Sequence, residues 1–383
     1  MKKIFTVLFA AMALNSFAES ARVTIDGLEY EVIKNDYAYV SLSDKANTIK
    51  GDVVIKNHVD IDSKTYPVTI IGDIIVEEGK KIVLPETAKE IWGRFGPGVI
   101  ESFPKGIEMF LGNNFYGTKL PEEICLLSVK SIGPNTFYLA EGVRKVNIGN
   151  NLISLGANAF SITEIDEIAF DSDGQNSDFP SCVFSNWTFD LMYNIKELKL
   201  PAHNGIKLGD CIAQNCEALE RVIFPDMKSI EYGYNSLISD ITIIGQGVPV
   251  YGYFFKDCPK LKEIVCLGET PIEITNIDNF KEKNTWVKNT AEEFTFMDNM
   301  DECVLKVPAG SEALYREDPV WGRFQTILGF ENGDYNLVSI NSVEADENAE
   351  PVYYNLQGIQ VKEPVKGQLY IRKAGAETTK VIL

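Results

Sequence analysis

The sequence predicts a β-rich repeat solenoid, with short coils joined by helical or irregular connections, a β-rich N-terminal cap and a small C-terminal β module. Three observations predict it. An apolar-x-x-apolar-x-apolar pattern recurs as Val143/Val146/Ile148, Ile165/Ile168/Phe170, Ile195/Leu198/Leu200, Leu219/Val222/Phe224, Ile238/Ile241/Ile243 and Leu261/Ile264/Cys266. A second pattern, Ser-Ile-Gly-x-Asn-x-Phe, runs from Ser131 to Phe137 and returns as Ser-Leu-Gly-x-Asn-x-Phe from Ser154 to Phe160. Looser copies are Leu208-Gly209 with Ala213, and Val250-Tyr251 with Phe255. The two patterns also keep phase: 10 or 11 residues separate Ile132 from Val143, Leu155 from Ile165, Leu208 from Leu219 and Val250 from Leu261.

Each part of this unit has a physical reason. The last two apolar residues of every triplet are two apart, the strand period, so their side chains share one face. The glycine is expected to supply a tight turn at positive φ after a short strand. The phenylalanine plugs the space between neighbouring coils. Asn215-Cys216 and Asp257-Cys258 turn the chain toward the next triplet. Pro85, Pro201, Pro225 and Pro308 follow strand ends, where a residue without an N–H stops the ladder. One coil cannot bury its own apolar face, so neighbours stack into a continuous core. Regularly spaced short strands also fit a β-sandwich, which is the competing fold. Residues 86–128 show no clear phase, and 171–194 and 269–301 read as insertions.

The paired signatures SIGPNTF…VRKVNIG and SLGANAF…IDEIAF resemble the BspA-type leucine-rich repeat family of bacterial surface proteins, as do LGDCIAQNCEALERVIFP and YGYFFKDCPKLKEIVCLGETP. The stretch Cys303 to Phe330 resembles that family's closing repeat, in which a short helix caps the stack. Residues 23–72 resemble its β-rich opening segment. The resemblance spans about residues 23–330 and implies a right-handed leucine-rich repeat solenoid. Ala213, where phenylalanine is usual, departs from the pattern.

The expected organisation is a signal peptide at 1–18, a β-rich cap at 19–80, the solenoid at 81–330, and a linker with a small β module at 331–383. Lys2 and Lys3, the apolar run Ile4 to Leu14 and the small residues Ser16 and Ala18 have the layout of an export signal. The tail, with YNLQG and the strands near Gln368–Ile371 and Val381–Leu383, reads as two or three strands of a β-meander. It serves either as a sorting or attachment element or as a plain β-cap. No later stretch is apolar enough to span a membrane.

Composition narrows function. The chain has 383 residues and a formal charge of −19, so it repels phosphate backbones, and nucleic acid is not an expected partner. Only two histidines are present, His58 and His203, which removes His-rich metal sites. The seven cysteines form no CxxC and read mostly as small packing residues. A His203–Cys216 dyad lacks an orienting third group, so His203 reads as an exposed turn residue and His58 as a strand-edge or loop residue. Asp171-Ser172-Asp173-Gly174 has its glycine at the wrong place for an EF-hand loop. No catalytic, cofactor or metal site is expected.

The sequence therefore points to a non-enzymatic binding surface. The aromatic stretches contribute Trp187, Phe189, Tyr193 and Trp286 as candidate partner-binding residues if their rings are exposed, and local core if they are not. The resemblance implies a protein partner, from host matrix or another cell surface. Glycan binding through the aromatic stretches and an unrecognised enzyme site are the alternatives.

Overall fold

The computed structural model describes residues 21–33, 36–43, 48–170, 182–203, 205–209, 211–232, 254–276, 297, 300–339, 352–355, 359–361, 364–367, 369–374 and 377–382. The signal segment, the Asp171–Gly174 loop, the Ile238/Ile241/Ile243 triplet and Trp286 lie outside the described residues.

One 13-stranded sheet runs from the N-terminal cap into the repeats. It opens with antiparallel strands Arg22–Ile25, Leu28–Ile33 and Tyr37–Leu42. The first two are joined by Asp26-Gly27, both at positive φ (51° and 81°), the turn chemistry that suits a tight hairpin. Tyr37–Leu42 then pairs in parallel with Lys64–Ile71, which also carries the hairpin strand His58–Ile61. From there the sheet is parallel: Glu90–Ile91, Met109–Phe110, Ser131–Ile132, Ser154–Leu155, Cys182–Phe184, Gly205–Leu208, Ser229–Tyr232 and Glu273–Asn276.

The apolar triplets build a second ladder across the core. Glu123–Leu126, Lys145–Ile148 and Glu167–Phe170 form one parallel block. Glu197–Lys199, Arg221–Phe224, Glu263–Cys266, Val304–Pro308 and Thr326–Glu331 form another, closed by the antiparallel strand Asp334–Ser339. Core-facing triplet residues such as Val146, Ile148, Val222 and Ile264 are fully buried. This is the stacked-coil solenoid, not the sandwich.

Between the two ladders runs a column of phenylalanines. Phe95, Phe115, Phe137, Phe160 and Phe189 stack in sequence, with centroid separations of 5.3, 5.4, 5.2 and 6.0 Å. Phe137 and Phe160 are nearly parallel, at 4°. Such offset ring pairs add to the gain from burying large apolar area.

The column corrects two expectations. Residues 86–128 keep the repeat phase, because Glu90–Ile91 and Met109–Phe110 pair in register and Phe95 and Phe115 enter the column. Residues 182–194 are a regular coil rather than an insertion: Val183-Phe184-Ser185-Asn186-Trp187-Thr188-Phe189 occupies the places of Ser131 to Phe137. The described strands on either side of the segment holding the Ile238/Ile241/Ile243 triplet pair with one another. Arg221–Phe224 pairs directly with Glu263–Cys266, and Ser229–Tyr232 with Glu273–Asn276.

The glycine's role is also different from the expected one. The positive φ falls two residues later, at Asn135 (54°), Asn158 (54°), Trp187 (57°) and Cys211 (49°). Asparagine tolerates that conformation better than most side chains. The glycine is needed for close approach: a Cβ on Gly133 would collide with the Leu111 carbonyl, and one on Gly156 with the Pro134 and Gly133 backbone.

The last coil is closed by the helix Glu312–Glu317 and the 3-10 turn Trp321–Arg323, as the resemblance implies. Tyr315 and Trp321 are fully buried, and the Trp321 indole donates to the Ile272 carbonyl at 2.8 Å. In the C-terminal tail, Val352–Tyr354 pairs with both Gln360–Val361 and Leu369–Ala374, and the latter pairs with Glu377–Ile382. The four strands thus follow an order other than a strict meander.

Candidate functional site

The two ladders present outer faces of different chemistry. On the second ladder, charge alternates from coil to coil in two rows. One row reads Glu122, Arg144, Asp166 and the next Glu123, Lys145, Glu167. In the following block they read Lys196, Glu220, Lys262 and Glu197, Arg221, Glu263. Neighbours pair across strands: Lys145 with Glu167 at 3.2 Å, Arg221 with Glu197 at 3.1 Å and with Glu263 at 2.5 Å. Opposite charges placed directly across a ladder favour this register over a slipped one.

The centre of the second block is partly enclosed. Glu263 also meets the buried Lys306 ammonium at 2.9 Å, and Lys306 donates to the Tyr335 carbonyl at 3.0 Å. The Arg221 guanidinium lies 5.3 Å from the Tyr335 ring centre. A depression of about 440 Å³ sits here, lined by Lys196, Glu197, Glu220, Arg221, Lys260, Lys262 and Glu263. Burial pushes the Glu263 carboxyl up, but hydrogen bonds from Lys306 and Arg221 outweigh it and hold it below the usual range. A catalytic acid needs the opposite shift, toward the working pH. This carboxylate is held ionised as part of the wall.

A pH prediction follows from that sign. A depressed carboxyl contributes stability above its unfolded value of 4.5, and the contribution is lost as pH falls through the lower folded value. Glu263→Gln should therefore reduce stability at neutral pH and flatten the acid limb of a denaturant-midpoint profile below about pH 4.5. An acid limb identical to that of the wild type would remove Glu263 from this role.

The long sheet carries one such row, at the leading ends of its strands, where Glu108 pairs with Lys89 at 3.3 Å and Lys130 at 2.6 Å. In the register of Glu31, Tyr39, Ile70, Glu90 and Met109, the sequence continues with Ser131, Ser154, Val183 and Lys207. Ser131 and Ser154 hydroxyls meet at 2.8 Å. At the adjacent positions are Gly72, Trp92, Leu111, Gly133, Gly156, Ser185 and Gly209. The aromatic and apolar side chains of this face gather at its cap end. Trp92 is 43% exposed and Leu111 49% exposed. The Tyr39 ring lies 6.2 Å from Trp92, across Gly72, where any Cβ would collide with the tyrosine hydroxyl. The Trp92 indole donates to Glu90 at 2.6 Å. Burial raises the Tyr39 hydroxyl, a hydrogen bond with Ser41 opposes this, and the charges of Asp73, Glu31 and Glu29 raise it further.

The residues singled out from sequence are scattered. Phe189 is 1% exposed and stacks on Phe160, so its ring is core and offers nothing to a partner. Trp187 is half-buried at the motif's asparagine position, and its carbonyl accepts from the Ser161 hydroxyl at 2.9 Å. Tyr193 is exposed at 43%. His203 is buried, at 3% exposure, rather than an exposed turn residue, because the chain folds inward between Pro201 and the strand Gly205–Leu208. His58 is exposed at the start of a hairpin strand that pairs on one side only. Six of the seven cysteines are buried, and the Cys216 thiol donates to the Phe189 carbonyl at 3.0 Å. Among the described residues no cluster of three His, Cys, Asp or Glu could hold a metal ion. Trp92 and Leu111 were missed because their segment reads out of phase. The signal that would have found them is the Phe-x-Gly-Asn-Asn-Phe run from Phe110 to Phe115, with its glycine shifted by one residue to Gly112.

The architecture is that of a β-rich repeat solenoid, and the family comparison agrees. A family model described as the BspA type leucine rich repeat region matches residues 102–189 and 183–300, in 6 copies. The chain belongs to the BspA-type leucine-rich repeat family. Among solved structures it is similar to the pneumococcal vaccine antigen PcpA, at 13% identity over 81% of this chain and 99% of that one, with a TM-score of 0.28. A leucine-rich repeat protein from Bacteroides ovatus is similar at 17% identity over 75% of this chain and 82% of that one, TM-score 0.28. A leucine rich cell surface protein from Faecalibacterium prausnitzii is similar at 13% identity over 70% and 98% respectively, TM-score 0.25. No curated protein matches the chain. No helix among the described residues is long and apolar enough to cross a membrane.

Proposed function

We propose that the chain is an exported, non-enzymatic scaffold that holds a protein partner at the bacterial surface, using the outer face of the long sheet. The observation that carries this reading is the contrast between the faces. The second ladder spends its charges on its own register, whereas the long sheet exposes Trp92, Leu111 and half-buried Tyr39 beside a row of glycines and serines. Tryptophan and tyrosine together in one surface patch are side chains that dominate protein interfaces. A pre-formed stack of coils also limits the ordering cost of binding a large partner.

In this reading residues 1–18 direct export, 19–80 cap the stack, 81–330 form it, and 331–383 sort or attach it. Tyr193 and Trp187 are secondary contacts in this reading. The test uses the chain from Glu19 onward as bait against host-matrix and microbial surface extracts. A partner retained by the wild type and lost by Trp92→Ala/Leu111→Ser supports the reading. A partner retained equally by both, or turnover of a substrate by the wild type, contradicts it. Deleting 345–383 without changing surface display would remove the sorting role.

A further inference from the structure

We propose that the Tyr39–Trp92–Leu111 patch docks a basic, extended segment of the protein partner, with an arginine or lysine side chain laid on the Trp92 ring and paired to the Glu90 carboxylate. This rests on the reading of the long sheet's outer face as the binding face and adds the chemistry of what binds there.

Three observations carry it. First, the patch is aromatic and apolar at its centre and acidic at its rim. Tyr39, Trp92, Met109 and Leu111 sit together, with Glu29, Glu31, Asp73 and Glu90 around them. Arg22 answers Glu29 and Glu31 at 3.4 and 3.1 Å, and Arg94 answers Asp73 at 3.7 Å. Among the described residues no lysine or arginine pairs with Glu90, whose Oε2 takes the indole N–H. That hydrogen bond fixes carboxylate and ring side by side. A cation over the indole would gain both the ring's negative face and a carboxylate partner.

Second, the surface of the whole chain carries a formal charge of −19, so long-range attraction brings basic segments in and turns acidic ones away. The second ladder competes less for such a segment, because Glu167, Glu197 and Glu263 already pair with cations of the neighbouring coils. Third, the two coils that follow Leu111 put glycines, Gly133 and Gly156, at the adjacent half-buried positions, so no side chain there blocks an extended chain lying across them. Leu111 and Met109 offer it aliphatic contact at the same end, which favours a peptide over a sugar chain.

The test measures three labelled peptides of about 12 residues, built from Gly-Ser-Arg, Gly-Ser-Gln and Gly-Ser-Glu repeats, by fluorescence anisotropy at about 150 mM salt. The arginine peptide is expected to bind at least about ten-fold tighter than the glutamine peptide, and the glutamate peptide not at all. Trp92→Ala and Glu90→Gln should each weaken the arginine peptide about ten-fold, while Glu123→Gln/Glu167→Gln on the second ladder stays within about two-fold. All these side chains are at the surface, and far-UV circular dichroism checks that the variants fold. No binding of the arginine peptide, or an equal loss in the second-ladder variant, overturns the proposal. A neutral peptide or a neutral glycan that binds more tightly and still depends on Trp92 overturns the basic chemistry and leaves the binding face standing. Binding of every probe that is indifferent to Trp92 overturns both.

Discussion

Phe137→Ala is expected to lower the unfolding free energy by about 3–5 kcal/mol, the range for removing a fully buried aromatic ring. Phe137 has no exposed surface, and its ring touches the phenylalanines of both neighbouring coils, at 5.4 Å to Phe115 and 5.2 Å to Phe160. It also meets Phe110 at 5.6 Å, on the strand that feeds the preceding coil. The substitution therefore opens a hole shared by three coils. In a linear array each coil is held by its neighbours, so the loss should split one denaturant transition into two. Phe137→Leu keeps apolar volume and should cost less than half as much. A midpoint for Phe137→Ala within error of the wild type would mean the column is not what joins the coils.

Trp321→Ala should cost a similar amount, about 3–5 kcal/mol, through the opposite end of the stack. The last coil has no successor to cover it, so the helix Glu312–Glu317 and the turn Trp321–Arg323 do so. Trp321 packs edge-on against Phe224 at 5.7 Å and Tyr315 at 6.0 Å, and along Phe324 at 6.4 Å. Its indole N–H satisfies the Ile272 carbonyl, which alanine would leave buried without that donor. Trp321→Phe separates the two effects: it keeps most of the packing and loses the hydrogen bond, at about 1–3 kcal/mol. Thermal melts with near-UV circular dichroism read both. Equal stability of Trp321→Phe and wild type would assign the whole effect to packing.

Much of the fold was legible where sequence pattern and physical cause coincide. Val146 and Ile148, or Val222 and Phe224, sit two apart because a strand alternates faces, and they are buried as that alternation demands. The closing helix was legible through the resemblance of Cys303 to Phe330 to a closing repeat. What was not legible fails for identifiable reasons. The column position tolerates any ring reached by the right chain length, so Phe95 and Phe115 enter it although the glycine before Phe115 has moved by one residue. Trp187 takes the left-handed position normally given to asparagine, with φ of 57°, and so hid a regular coil inside an apparent insertion. The glycine of Ser-Ile-Gly-Pro-Asn was read as a turn former, yet its place is set by the Leu111 backbone in the coil before it. Such cross-coil contact has no signature within one repeat.

The binding surface was harder still. Ring count pointed to the stretch holding Trp187, Phe189 and Tyr193, but the ring of Phe189 is consumed by the core, because burying a ring between coils is more favourable than showing it to water. Exposure at Trp92 and Leu111 arises from where the cap sheet meets the first repeats, a property of the assembled fold and not of any local pattern. The alternating charges of the second ladder were equally invisible in one dimension, since Glu123, Lys145 and Glu167 become neighbours only once coils stack.

Hydrogen exchange on the intact chain tests the stacking account most directly. Backbone amides of Ser131–Ile132, Ser154–Leu155 and Cys182–Phe184 in the long sheet, and of Lys145–Ile148 and Glu167–Phe170 in the second ladder, should exchange slowly and together, with Met109–Phe110 protected alongside them. Fast exchange at Met109–Phe110 or Cys182–Phe184, while the other strands stay protected, would contradict a single continuous stack through those two coils.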